Sequence, residues 1–137
     1  MTTGSQIVTD FISAFGRVPA LSVVRSGVSQ NVFEVAGAPE CLLYVKGRSE
    51  APYRWGVTAN VVERLKRQKK RWFTVLLYET KETGYLLSSA DVLHYIKNVW
   101  PLAGNGDYKP ASGTYLARNA PFTSFNEFLR TLRAQAS

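Results

Sequence analysis

Residues 31–46 read NVFEVAGAPECLLYVK, and the two apolar runs on either side of Gly37 decide what kind of domain this chain forms. Val32, Phe33 and Val35 surround Glu34 in the first run; Leu42, Leu43, Tyr44 and Val45 lead to Lys46 in the second. Short runs of β-branched and aromatic residues bounded by turn formers read as strands. Gly37, Ala38, Pro39 and Glu40 supply the turn, so the stretch predicts two antiparallel strands, at 31–36 and 41–46. Upstream, Leu21–Arg25 reads as a further strand, set off by Gly27 and Ser29.

Farther out the periodicity changes. Ile7, Val8, Phe11, Ile12 and Phe15 follow helical spacing behind a Thr3/Gln6 capping box, and Gly16 and Pro19 stop that helix. Residues 47–56 read as a loop. Thr58 opens a helix over 59–70 with Val61, Val62 and Leu65 on its apolar side. Residues 72–79, WFTVLLYE, are apolar enough for a strand inside a sheet. A shorter strand at 85–87 follows, then a helix capped by Ser88 and Asp91, a long loop over 101–113, and a short strand near 114–117. A last helix is opened by Ser124 and Glu127. A helix between residues 46 and 72 permits a crossover to a parallel strand. The fold class expected is therefore α/β: a single domain over 1–137, with a mixed sheet of about four to five strands flanked by helices.

A chain of 137 residues can bury its own core, and 45% hydrophobic with 20% charged residues is a globular composition. The one cysteine, Cys41, excludes an internal disulfide framework, and with one histidine it leaves little from which to build a zinc site. Cys41 itself reads as a packed strand residue, and His94 as a helix-surface residue. No apolar run approaches the ~20 residues of a membrane span. The opening MTTGSQIVTDF shows no basic segment followed by an apolar one, so the expectation is a cytoplasmic protein.

The charge is uneven. The net charge is +7. Lys46, Arg48, Arg54, Arg64, Lys66, Arg67, Lys69, Lys70 and Arg71 lie within one short stretch against Glu50 and Glu63, and elsewhere acids and bases balance. A concentrated positive field attracts polyanions, and phosphate contacts by such residues make binding steeply salt-dependent. Arg48, Arg54, Arg64, Arg67, Lys69, Lys70 and Arg71 are the candidate phosphate contacts. Trp55 is the candidate stacking residue, since aromatic and basic side chains together suit base stacking with backbone neutralisation. The plain alternative is a solvated helix face whose cations suit the dipole at its C-terminus.

The order helix, three strands, helix, strand (αβββαβ) resembles the core of the PD-(D/E)XK nuclease superfamily, the restriction-endonuclease-like fold shared by many restriction enzymes and Holliday-junction resolvases. That family has an acidic residue on its second strand, then a carboxylate or Gln, a spacer and a Lys on its third. Glu34 matches the first acid, Val45 the spacer and Lys46 the lysine; Tyr44 stands where the second carboxylate would be. The resemblance spans roughly residues 5–80. It implies a Mg²⁺-dependent phosphodiesterase, an endonuclease acting on DNA, with Glu34 and Lys46 catalytic and Glu34 with Asp10 as metal ligands. Mg²⁺ takes hard oxygen ligands. If the site is inactive, the resemblance implies a DNA-binding fold member, as a homodimer or a subunit of a larger DNA-processing complex.

Register tests the pair. With Gly37 opposite Cys41, Glu34 and Lys46 lie diagonally on one face; with Ala36 opposite Cys41 they lie on opposite faces. The ordinary alternative is an exposed strand glutamate and a lysine reaching for water. A reading from another class is a protein-interaction or dimerisation module, with the FTSFNEFLRTL helix as its contact.

Overall fold

The hairpin forms as β2 (Val32–Ala36) and β3 (Cys41–Arg48), with Val35 opposite Cys41. Gly37 turns the chain at a φ of 121°, in the left-handed region, with the Ala20 carbonyl oxygen where a Cβ would stand, so glycine is required there. β1 (Ser22–Arg25) pairs antiparallel with β2 on the outer side. The computed structural model describes residues 2–111, 116 and 120–136.

α1 (Gly4–Ala14) precedes this meander; the Gln6 backbone N–H donates to the Thr3 hydroxyl at 3.1 Å, as the cap requires. After β3 come β4 (Val57–Thr58), α2 (Ala59–Lys66) and β5 (Trp72–Tyr78). β5 returns parallel to β3, and β6 (Gly84–Ser88) pairs antiparallel beyond it. α3 (Ser89–Asn98) starts on a reciprocal Ser88/Asp91 capping box. β7 (Asp107–Tyr108) pairs with β4 in a separate two-stranded sheet, β8 (Pro121–Phe122) closes the edge beside β6, and α4 (Phe125–Ala136) ends the chain's described part. The main sheet is mixed and six-stranded, in the order β1-β2-β3-β5-β6-β8. Pro121 sits at its edge, where a missing N–H costs no ladder bond.

Alternation along the strands sends side chains to two cores. Phe33, Val35, Leu43, Val45 and Val75 pack with Ile7, Val8 and Phe11 of α1 and Phe125, Phe128, Leu129 and Leu132 of α4. Val32, Leu42, Tyr44 and Leu76 pack with Val61, Val62 and Leu65 of α2 and Val92 of α3. The result is three layers, helices on both faces of a mixed α/β sheet.

Several expectations are corrected. β3 runs two residues past Lys46, because Gly47 and Arg48 pair with Leu77 and Tyr78. α2 stops at Lys66 rather than at 70: Arg67 and Gln68 donate to Arg64 and Leu65, three residues back, which tightens the last turn and ends the helix. The long loop over 101–113 contains β7. The short strand near 114–117 lies outside the described residues, apart from buried Leu116. The apolar face of α4, offered above as an oligomer contact, is consumed by its own core. No helix among the described residues is long and apolar enough to cross a membrane.

Candidate anion-binding cleft

β3 is the element that positions the site. Its central residues are buried on both faces, but its last turn of pleat, Lys46 to Arg48, emerges from the sheet. Lys46 and Arg48 share the face occupied by Leu42 and Tyr44, by the period of two. Beneath them, Trp55 is 2% exposed and its indole N–H donates to the Leu77 carbonyl at 2.8 Å. The next residues, 57–58, form β4 and hold β7 beside them. Trp55 N–H donates to Pro110 O at 2.9 Å, Ala59 N–H to Gly106 O at 3.1 Å, and Arg54 bridges to Ala111. These backbone contacts fasten residues 106–111 along 54–59.

The fastening carries two more charged side chains to β3. Lys46, Arg48, Arg54, Asp107 and Lys109 line one cleft of about 500 Å³, together with Gly47, Trp55 and Gly56. Four cations face one carboxylate, a formal excess of three. Lys109 Nζ stands 3.7 Å from Asp107 Oδ2. A Cβ on Gly56 would stand 2.7 Å from that same oxygen, so glycine lets the carboxylate lie against the chain. Burial holds the Lys46 ammonium below its ordinary range; Asp107 counters this and Lys109 adds to it. Arg48 and Arg54 are exposed at the rim.

The residues singled out from the sequence fall in three places. Lys46, Arg48 and Arg54 meet at the cleft. Lys69, Lys70 and Arg71 lie at the other end of the sheet, just before Trp72, which pairs with Leu42 at the start of β3. Arg64 donates to Val28 O at 3.1 Å and Arg71 to Gln135 O at 3.1 Å, while Lys66 pairs with Glu63 at 3.3 Å. Arg67 and Lys69 are exposed. The positive excess is thus divided among the cleft, the end of α2 and the far end of the sheet.

Glu34 and Lys46 are not brought together. Glu34 stands opposite Leu42, four positions from Lys46, or roughly 13 Å along the strand. They do share a face, because the register differs by two residues from the diagonal one. Glu34 instead forms an ion pair with Lys70, which also reaches Glu40 at 3.0 Å. Asp10 accepts from Gln6 Nε2 at 2.8 Å on α1, against the opposite face of the sheet. Glu34 and Asp10 therefore cannot share one Mg²⁺ ion, and no cluster of three or more His, Cys, Asp or Glu side chains suited to a metal exists among the described residues. Tyr44 is 1% exposed, and its oxygen accepts from the Thr58 backbone N–H at 3.0 Å. Trp55, expected to be exposed for stacking, is instead the floor of the cleft.

Asp107 and Lys109 carry no recognisable motif in the sequence. The segment Gly104 to Lys109 looks like a turn, and only the alternation of charge around Tyr108 hints at a strand with two side chains on one side. No protein-family model, curated protein or solved structure significantly matches this chain.

Proposed function

We propose that this protein binds nucleic acid, DNA in the first instance, through its phosphates, and that the cleft at the end of β3 is the site that holds them. The observation carrying this reading is the convergence of Lys46, Arg48, Arg54 and Lys109, from three separate segments, around a single carboxylate. Guanidinium groups match phosphate oxygens in a fork, and lysines add point charges. In α/β sheets, ligands bind outside the C-terminal ends of parallel strands, and β3 and β5 are the parallel pair here.

The element order α1, β1, β2, β3, α2, β5, with only the short β4 inserted, supports a nuclease-like architecture. The proposal concerns binding; Glu34 and Asp10 do not join Lys46 in it. Arg67 and Lys69, exposed beyond α2, would add a weaker and more distant electrostatic attraction.

Fluorescence anisotropy of labelled DNA across a salt series tests the reading. Arg48→Ala with Arg54→Ala should weaken binding and reduce the slope of log affinity against log salt by about 2. Arg67→Ala with Lys69→Ala should change affinity less. No binding by the wild type at low ionic strength, or equal binding by the cleft double variant, overturns the proposal.

A further inference from the structure

The same cleft carries a narrower conclusion, which rests on the nucleic-acid reading and names the part of the polymer involved. We propose that the cleft takes a terminal phosphate monoester of a nucleic-acid strand, in preference to an internal stretch of backbone.

Charge is the first argument. The lining has a formal excess of three positive charges. An internal phosphodiester brings one negative charge. A phosphate monoester carries about −1.5 to −2 near pH 7, so a terminal phosphate with its neighbouring diester brings close to three. The end of a strand therefore matches the cleft, whereas two adjacent internal diesters, the equivalent pair of groups, bring two negative charges and leave an excess of one positive charge. The inner side feels this most. The Lys46 amine is half-buried with no salt-bridge partner among the described residues, and the Lys109 charge opposes its own. A doubly charged group between them relieves both the repulsion and the lost hydration.

Size and shape agree. About 500 Å³ is the scale of a small-molecule pocket. One flank is walled by the β4–β7 pair and by the backbone bonds joining 54–59 to 106–111. Asp107 and Lys109 line the cleft from the segment that contains β7, and Lys46 and Arg48 line it from β3. A strand end can enter from the open side with its phosphate leading. Arg48 and Arg54 at the rim would then meet the adjacent diester, and Lys46 and Lys109 the terminal group. The Asp107 carboxylate repels part of any anion and sets where its oxygens can lie. It also holds Lys109 in place.

The test compares short single-stranded DNA of one sequence in four forms: 5′-phosphorylated, 3′-phosphorylated, with hydroxyls at both ends, and closed into a circle. Anisotropy or competition gives the affinity of each for the intact protein. At least one phosphorylated form should bind about tenfold tighter than the hydroxyl-ended and circular forms. Which of the two does so identifies the terminus. The preference should disappear in Lys46→Met, whereas Arg48→Ala should weaken the phosphorylated and hydroxyl-ended forms alike, with circular dichroism showing both variants folded.

Equal affinity for all four forms, with the Arg48/Arg54 double variant still impaired, overturns the terminal inference and leaves the nucleic-acid reading standing. Failure of every form to bind overturns both. A preference that survives unchanged in folded Lys46→Met also overturns the inference, because the terminus would then be read elsewhere.

Discussion

The Tyr44 hydroxyl oxygen accepts the backbone N–H of Thr58 at 3.0 Å, tying the middle of β3 to the start of α2. A strand position that the nuclease resemblance would give to a carboxylate is thus occupied by a buried phenol that anchors a helix. Burial pushes its ionisation up, so it serves as a neutral acceptor. The same contact fixes β4, and through β4 the Asp107 strand that walls the cleft.

Tyr44→Phe removes that acceptor and leaves the Thr58 N–H without its partner. The expected cost is about 1–3 kcal/mol, read as a lower urea midpoint with an unchanged slope. DNA affinity should fall as well, because Asp107 and Lys109 lose part of their support. A variant as stable as the wild type would show that water or another group replaces the phenol.

Lys46 is costly where it sits. Burial lowers its folded-state pKa below the ordinary 10.5. In the window between those two values the unfolded chain holds more protons, so stability rises with pH there. Below the window the charged amine imposes its full cost. Lys46→Met should therefore melt at a higher temperature than the wild type at pH 7. The gap should narrow as the pH rises towards the ordinary 10.5. Differential scanning calorimetry across this range checks the sign.

Glu34 is expected to matter little for binding. Its pair with Lys70 is more than a third exposed on both sides, and Lys70 keeps Glu40 when Glu34 is changed. Pairs of that kind contribute about 0.2–1 kcal/mol. Glu34→Gln should cost no more than this, less at high salt, and should leave cleft affinity within experimental error. A large loss of binding would return Glu34 to the site.

Cys41 is fully buried on β3, and burial pushes its thiol up to about 12. Thiolate, the reactive form, is therefore scarce in the folded protein. A disulfide reagent at mildly alkaline pH should leave the native protein unmodified and label it completely in denaturant. The native labelling rate then measures opening of the sheet. Rapid labelling without denaturant would contradict the packing of β3 against α1 and α4.

Local chemistry made much of this fold legible. The alternation in 31–46 gives two strands and separates Val32 from Phe33 and Leu42 from Leu43, because the pleat has a period of two, while the register puts Val32 and Leu42 on the same face. Thr3 and Ser88 mark helix starts through hydrogen bonds made within three residues. The crossover to β5 follows from a strand, a helix and a strand in sequence. The C-terminal end of α2 was harder, since the like-charged run after Lys66 keeps helical composition while its backbone turns away.

Register and convergence were beyond reach of the same reasoning. The period of two says which face a residue takes but not which residue stands opposite it. A shift of two positions leaves every face unchanged, yet moves Glu34 away from Lys46 and beside Lys70. Trp55 shows the same limit, because a tryptophan among charged loop residues reveals its burial only when Leu77 is seen beneath it. Sequence alone determined β1, β2, β3, β5 and β6, the caps at Thr3 and Ser88 and the local excess of positive charge, all of which depend on neighbours along the chain. The tertiary structure decided which charges share a volume: Asp107 and Lys109 reach Lys46 only through pairing of segments some fifty residues apart. Such pairing depends on how two remote surfaces fit, and no local pattern encodes that fit.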